Sequence, residues 1–424
     1  MLSQKSIQII KSTVPLLEKY GVEITRLFYK NMFEAQPQLL NIFNHSNQRN
    51  QKQPVALANT ILQSAIHIEK LNEINLMPIV HKHVALGITP EMYPIVGAHL
   101  LGAMKIVMQD EATPEIMAAW TEAYRAVAQA FMDAEEDLYF ETEEQIGGWK
   151  DTREFVVDRI EEETPLIKSF YFKPLDCKEI ATYIPGQYIT VKITLQGDGV
   201  DVPTDKMRTY VRHYSLSDKP NDEHYRISVK KELGKNNTPN GIVSNHFHNV
   251  IKVGDIVPMS VPAGDFVVDN DSETPILLIC GGVGINPLFS MLKETLVQQP
   301  DRKINFIFCT HSESTQPFKE ELKQLEDDYK ETGNLKINLV YSENQGHINK
   351  EIIEKYSTIN VDESEIAETD VYICGPVPFM MQVNKDLLKL GYHKENVHYE
   401  LFGPLTPVLE ENQMLRGVKN IIEN

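Results

Sequence analysis

The hydrophobic period of this chain changes twice, and each change restricts what the next stretch can fold into. Through residue 140, apolar side chains recur every three to four positions. Ile7, Ile10, Val14 and Leu17 do so, as do Val96, Leu100, Ala103 and Val107, and then Trp120, Tyr124, Val127 and Phe131. That spacing lines one face of a helix. Pro37, Pro54, Pro90 and Pro114 stand where helices would start or stop. The expectation is an all-α domain over residues 1–140, with roughly six to eight helices.

After Gly147-Gly148-Trp149 the period becomes two. Ile189, Val191, Ile193 and Leu195 alternate with Thr190, Lys192 and Thr194. Tyr225, Ile227 and Val229 alternate with Arg226, Ser228 and Lys230. Alternation with one wet face predicts antiparallel strands, here a β-barrel over residues 150–268. From Thr274 the pattern changes again. Continuous apolar runs at 275–280, 304–309, 335–340 and 371–374 are separated by amphipathic helices, one of them marked by Phe318, Leu322, Leu325 and Tyr329. Strands alternating with helices predict a doubly wound parallel sheet over residues 269–405. The tail, 406–424, reads as a loose extra helix, and the loop 197–205 as an insertion.

Charge removes some partners. Lys and Arg total 41 against 60 Asp and Glu, a formal charge of −19, which repels phosphate backbones and anionic membrane alike. Cys177, Cys280, Cys309 and Cys374 show no paired spacing, so neither a zinc ribbon nor a redox pair is expected, and a reducing compartment is. The first residues lead into a charged amphipathic segment, and no run approaches the roughly 18 apolar residues of a membrane span. The expected location is the cytoplasm, with small molecules as partners, no nucleic acid, no obligatory membrane contact and a monomeric chain.

The glycine turns carry chemistry. Arg212-His213-Tyr214-Ser215 opens a strand, offering a guanidinium fork for phosphate, a flat ring and a hydroxyl. Pro185-Gly186-Gln187-Tyr188 turns into an earlier strand. Gly241-Ile242-Val243-Ser244-Asn245 starts a helix whose free N–H groups suit a pyrophosphate. Gly281-Gly282-Val283-Gly284-Ile285-Asn286-Pro287 follows a buried strand and opens another helix. It is not the Rossmann fingerprint, because Pro287 replaces the third glycine. Cys374-Gly375-Pro376 and Phe402-Gly403-Pro404 end two further strands. Taken in order, these motifs resemble the ferredoxin-NADP reductase family over about residues 150 to 404.

In the helical part, Lys82-His83 lies late in a helix expected over about 71–86, before Gly87-Ile88-Thr89-Pro90. A neutral imidazole is a standard axial haem ligand. His81 is a rival, but two residues turn a helix by about 200°, so both cannot face one haem. Gln53 and Leu57 share a helix face, with Tyr29 on an earlier helix and Phe43 in the connection between. With the stretches 44–50 and 93–101 and Trp120, this order resembles a globin, and the joined architecture resembles a flavohaemoglobin.

That resemblance implies haem b, FAD and NADH or NADPH. It also implies nitric oxide dioxygenation, in which NAD(P)H reduces FAD, FAD reduces haem iron, and iron-bound O₂ oxidises NO to nitrate. His83 would be the proximal iron ligand, with Tyr93 and Glu135 beside it; a carboxylate there strengthens the imidazole as a donor. Glu136 or Asp137 would serve instead if the helix phase is one residue off. Tyr29 and Gln53 would bond distal O₂, with Leu57 and Phe43 holding the haem. Lys82 would approach a propionate or the flavin side.

Arg212 and the turn of Gly241, Val243 and Ser244 would hold the FAD phosphates. Tyr188, His213, Tyr214 and Ser215 would meet its ring. Gly282, Gly284, Asn286 and Pro287 would admit the nicotinamide dinucleotide, with Cys374, Phe402, Gly403 and Pro404 near the transfer position. After the strand 304–309, Glu313 stands in Thr310-His311-Ser312-Glu313-Ser314 with no Arg, which favours NADH. Two rival readings remain, a haem-based gas sensor or carrier and a plain flavin reductase.

Overall fold

The computed structural model describes residues 2–42, 52–73, 75–197, 206–234, 239–358, 361 and 363–402. The chain divides into two compact units, one built on residues 1–141 with 194–211, the other on 142–193 with 212–402.

The first unit holds the helices α1 (Gln4–Ser12), α2 (Val14–Ala35), α3 (Lys52–Ile66), α4 (Met77–Leu86), α5 (Met92–Met108) and most of α6 (Pro114–Glu144). Ser3 starts α1 by accepting the Ser6 N–H. The stripe that runs from Ile7 through Leu17 is continuous in sequence but broken at Thr13, where Pro15 in the first turn of α2 starts a new helix. Ile10, Ile24, Phe28, Met32, Met104 and Trp120 form the core of this unit. A second cluster of Val80, Val84 and Leu138 packs with Phe131 and Tyr139.

The helix expected over 71–86 is shorter. A 3₁₀ turn, Ile68–Glu73, precedes α4, which starts one residue before Pro78. Proline has no N–H to continue an incoming helix but suits a first turn. Gly87 ends α4 in the left-handed region (φ 76°), its N–H reaching back to His83 and Val84 carbonyls. No described helix is long and apolar enough to cross a membrane.

In the second unit, β1 (Arg153–Thr164), β2 (Ile167–Pro174), most of β3 (Tyr188–Gln196), the last part of β4 (Met207–Ser215), β5 (Tyr225–Lys230) and β6 (Ile256–Met259) belong to an antiparallel sheet in the order β4-β3-β6-β1-β2-β5. A bridge from Leu216 to Ile227 and the Ser217 N–H to Arg226 carbonyl bond (2.9 Å) join the end of β4 to β5. Helix α7 (Ile242–Asn249) follows β5. One expectation fails here. Arg226 and Ser228 were read as the wet face of β5, yet each is only 1% exposed. The α/β module described next covers that face.

This module is a parallel sheet in the order β11-β10-β7-β8-β9, from β7 (Ile276–Gly281), β8 (Ile304–Thr310), β9 (Leu335–Tyr341), β10 (Asp370–Cys374) and β11 (Val397–Glu400). All of β7 is buried, as its unbroken apolar run requires. Its helices are α8 (Ile285–Gln298), α9 (Lys319–Asp328), α10 (Ser342–Gln345), α11 (Lys350–Ser357) and α12 (Val377–Lys389). The strand order reverses between β7 and β10, and the crevice at their carboxyl ends is where such sheets take ligands.

Candidate functional site

Three groups of the singled-out residues come together, one in the helical unit and two in the second unit. In the first, α4 and α6 set His83 against Glu135. His83 Nδ1 lies 2.6 Å from Glu135 Oε1 and 3.2 Å from the Tyr93 hydroxyl, and that hydroxyl also donates to Glu135. Glu135 is 3% exposed and the imidazole 30%. Glu136 and Asp137 are exposed, so helix phase presents Glu135 alone to His83. Burial, then the bond to Glu135, pushes the Tyr93 phenol far above its usual range, so it stays a donor. Its backbone is fixed by Tyr124, whose hydroxyl donates to the Tyr93 carbonyl at 2.6 Å. That approach needs Gly97, because a Cβ there would lie 2.3 Å from the Tyr124 ring. Phe131 completes the surroundings, its ring 5.5 Å from that of His83.

Tyr29 is buried on α2 among Phe28 and Phe33. Burial raises its phenol well above the ordinary value, against a hydrogen bond from Gln53. Gln53 and Leu57 are both on α3, half-buried, and Leu57 packs against the helical core. Lys82 is half-buried beside His83. Phe43 and the stretch 44–50 lie outside the described residues.

The second group surrounds β4. Tyr214 is half-buried with its ring 5.6 Å from Phe247 of α7, and burial holds its phenol up, partly offset by the Arg212 charge. Ser215 is buried and Arg212 half-buried. His213 is exposed; its Nδ1 meets Thr190 Oγ1 at 2.7 Å and its ring lies 4.7 Å from that of Tyr188. Tyr188 is buried, yet its hydroxyl has no hydrogen-bond partner among the described residues. Gly264 lies against its ring, where a Cβ would come within 3.1 Å. Gly241 caps α7, whose first turn carries Val243 and Ser244, both buried. Ser244 Oγ accepts from the Glu232 N–H at 3.2 Å.

The third group is the crevice. Gly282 takes φ 56° with open space around its missing Cβ. Gly284 is pressed against the β10 turn, so that a Cβ would sit 2.3 Å from the Cys374 carbonyl oxygen. Cys374 is buried, and burial together with Glu400 holds its thiol well above the ordinary value. Asn286 and Pro287 are buried; Asn286 Nδ2 donates to the Ser228 carbonyl at 2.7 Å, which leaves its Oδ1 without a partner among the described residues. Phe402 is 53% exposed. Glu313, beyond β8, is exposed and paired with Lys319. Gly403, Pro404, the tail 406–424 and positions 198–205 of the suspected insertion lie outside the described residues.

Sequence reading treated Phe131 as one member of a helical stripe, and it missed Asp218 and Lys293, which join the second and third groups. No local signal marks them, since a carboxylate in a polar loop and a lysine on an amphipathic helix both read as solvated.

Comparison with known proteins places these groups in context. A globin family model matches residues 26–131, and a model of the oxidoreductase NAD-binding domain matches 278–385. Flavohemoprotein B of Dictyostelium discoideum is 95% identical over 100% of both chains. The crystal structure of a flavohemoglobin from Malassezia yamatoensis with bound FAD and heme has a TM-score of 0.79 at 28% identity, covering 95% of this chain and 100% of that one. The FAD/NAD-binding domain of a nitric oxide dioxygenase from Vibrio cholerae has a TM-score of 0.51 at 33% identity, covering 60% and 100%.

Proposed function

This chain belongs to the flavohaemoprotein family, and from that premise we propose that it is a nitric oxide dioxygenase driven by NADH. Each NADH supplies two electrons, one for each NO that combines with one O₂ to give nitrate. The observation that carries the reading is the His83–Glu135–Tyr93 cluster within a globin unit fused to a dinucleotide-binding module.

The residues fit the implied groups. His83 Nδ1 is taken by Glu135 and Tyr93, which leaves Nε2 as the ligand nitrogen for haem iron. The Tyr188 hydroxyl, without a partner among the described residues, and the narrow space kept by Gly264 fit a bound ring system. When bound, haem would supply an iron for the gases, and FAD would turn a two-electron donor into single electrons. Glu135, accepting the Nδ1 proton, makes the imidazole a stronger donor and favours turnover over storage. Tyr29, unable to ionise in its buried setting, and Gln53 present hydrogen-bond donors to a polar diatomic. Leu57, and by the resemblance Phe43, would keep that side dry, and Lys82 would meet a propionate.

On the second unit, Arg212 would pair with the FAD pyrophosphate, while Gly241, Val243 and Ser244 cap it with N–H groups at the start of α7. Tyr188, His213, Tyr214 and Ser215 would orient the flavin ring. Gly282 and Gly284 would let the dinucleotide approach backbone closely, and Asn286 and Pro287 would help to hold it. Cys374 and Phe402, and by the resemblance Gly403 and Pro404, would border the nicotinamide. Glu313 would accept from the adenosine ribose and repel a 2′-phosphate, which favours NADH. With both modules in one chain, no protein partner is needed, and the four cysteines without paired spacing suit the reducing cytoplasm.

An anaerobic absorption spectrum before and after NADH tests the path, followed by nitrate formation from NO with O₂ present. A Soret band that shifts to the ferrous form, and NADH consumption that rises with NO, are expected. Flavin absorbance without haem, even after haem is supplied, would leave a plain flavin reductase. Haem that NADH reduces without any NO-dependent turnover would leave a sensor or carrier.

A further inference from the structure

Asn286, Ser290 and Lys293 lie at i, i+4 and i+7 on α8, the helix that begins at the Gly282–Gly284 turn. They form one stripe, about 10 Å long, and all three bond to the antiparallel module, at β5 or the loop after β4. Asn286 Nδ2 donates to the Ser228 carbonyl, Ser290 Oγ to the Asp218 carbonyl and Lys293 Nζ to the Asp218 carboxylate. Asp218 is three residues beyond Ser215, at the end of β4. A short path therefore runs from the flavin-side strand through Asp218 to the helix that carries the dinucleotide turn.

Arg226 reinforces this path from β5. It is 1% exposed, and its Nη1 reaches Glu321 of α9 at 2.6 Å, while Lys293 reaches the same carboxylate at 2.8 Å. The guanidinium lies 4.8 Å from the Phe318 ring, which stacks on Phe289 at 4.6 Å. Phe318 has φ 56°, rare for a bulky residue, and its N–H is held by Glu163 of β1 at 3.1 Å. Such strain persists only where the surroundings over-determine it. Burial pushes the Asp218 carboxyl up, but His224, Arg226 and Lys293 outweigh it and hold it well below the usual range.

Adhesion alone does not call for this arrangement. Apolar side chains of similar volume would join two modules without taking Arg226, Asp218 and Lys293 largely out of water, and the best-attested use of buried ionic groups is to fix registry. We propose that the Asn286–Ser290–Lys293 stripe, seated on Ser228 and Asp218, is a strut that sets the spacing between the dinucleotide turn and β4. Ser290 and Lys293 are thus positioning residues for flavin reduction by NADH. The inference rests on the assignment of those two sites under the proposed function.

The test uses FAD-loaded Lys293→Met and Ser290→Ala, with Lys293→Arg as the conservative variant. In Lys293→Met, amide hydrogen exchange without NADH should quicken about tenfold in residues 217–225 and 285–298 together, and Lys293→Arg should restore most of the protection. The limiting rate of flavin reduction per bound FAD should fall ~10- to 100-fold, as for a displacement near 1 Å, with FAD content and NAD⁺ affinity kept. Ser290→Ala should show a smaller loss of the same kind. Unchanged exchange in both segments, or a wild-type reduction rate per bound FAD in Lys293→Met, overturns the strut. A wild-type protein whose flavin NADH does not reduce would instead overturn the site assignment, because the exchange result is read without NADH.

Discussion

Gly284→Ala puts a methyl where the chain has no room. Its Cβ would lie 2.3 Å from the Cys374 carbonyl oxygen, 2.5 Å from the Cys374 carbonyl carbon and 2.8 Å from the Gly375 nitrogen. All three are backbone atoms in a turn closed on its other side by Phe379, so no flexible side chain can yield. Restoring ordinary contact at 3.4 Å means moving the two turns apart by about 1.1 Å. Overpacking of this kind costs about 1–3 kcal/mol. For a unit of this size that lowers the melting point by roughly 2–4 °C per kcal/mol. The displacement is of the size that costs ~100-fold in rate when reacting groups are misplaced.

Gly282→Ala is the control. Nothing lies within 4 Å of its Cβ, and only the φ of 56° is strained, at about 1–2 kcal/mol. The assays are thermal unfolding followed by flavin absorbance and the rate of flavin reduction against NADH concentration. At saturating NADH, Gly284→Ala should lose far more of the limiting rate than Gly282→Ala, whose added methyl faces the open space given to the dinucleotide and should instead raise the NADH concentration required. Equal rates in the two variants would refute the claim that the contact between the turns sets the geometry.

Three further outcomes are expected. His83→Ala should lose the Soret band and keep FAD, whereas Glu135→Gln should keep haem, lose NO turnover and lower stability by about 1–2 kcal/mol, because the buried Tyr93 hydroxyl loses a charged acceptor. Asp218 has a folded-state pKa below its ordinary 3.8. Its contribution to stability is therefore full above that value and drains as pH falls toward the folded pKa, so Asp218→Asn should flatten acid unfolding below about pH 4. Glu313→Arg should raise the NADPH to NADH ratio of kcat/KM, since it replaces the carboxylate with a phosphate-binding fork. An unchanged ratio would remove Glu313 from the ribose site.

The three-part architecture is legible because each part has its own hydrophobic period, and the glycine turns are legible because strand and helix flank them. The His83 group could be assembled only from a resemblance, since His83, Tyr93 and Glu135 stand on three helices and no local spacing joins them. Helix phase was the missing fact, and it separates buried Glu135 from exposed Glu136 and Asp137. Where sequence reading failed, the cause was tertiary. Arg226 and Ser228 alternate with apolar residues in the way a solvated face does, and only the cover of α8 and α9 makes that face interior. Pro78 is a local exception: it sits in the first turn of α4, which starts at Met77 rather than near the expected residue 71.

The covered face of β5 has a consequence for the order of events during synthesis. Glu321 follows Arg226 by 95 residues, and Lys293 follows Asp218 by 75. At ~5–20 residues per second, the carboxylate leaves the ribosome roughly 5–20 s after the arginine it will neutralise. Through that interval the nascent barrel shows water a strand bearing a cation and hydroxyls rather than a bare apolar ribbon. A charged strand is a poor template for pairing with another chain. The same side chains that bond the two modules would thus first make the unfinished strand a poorer template for its neighbours.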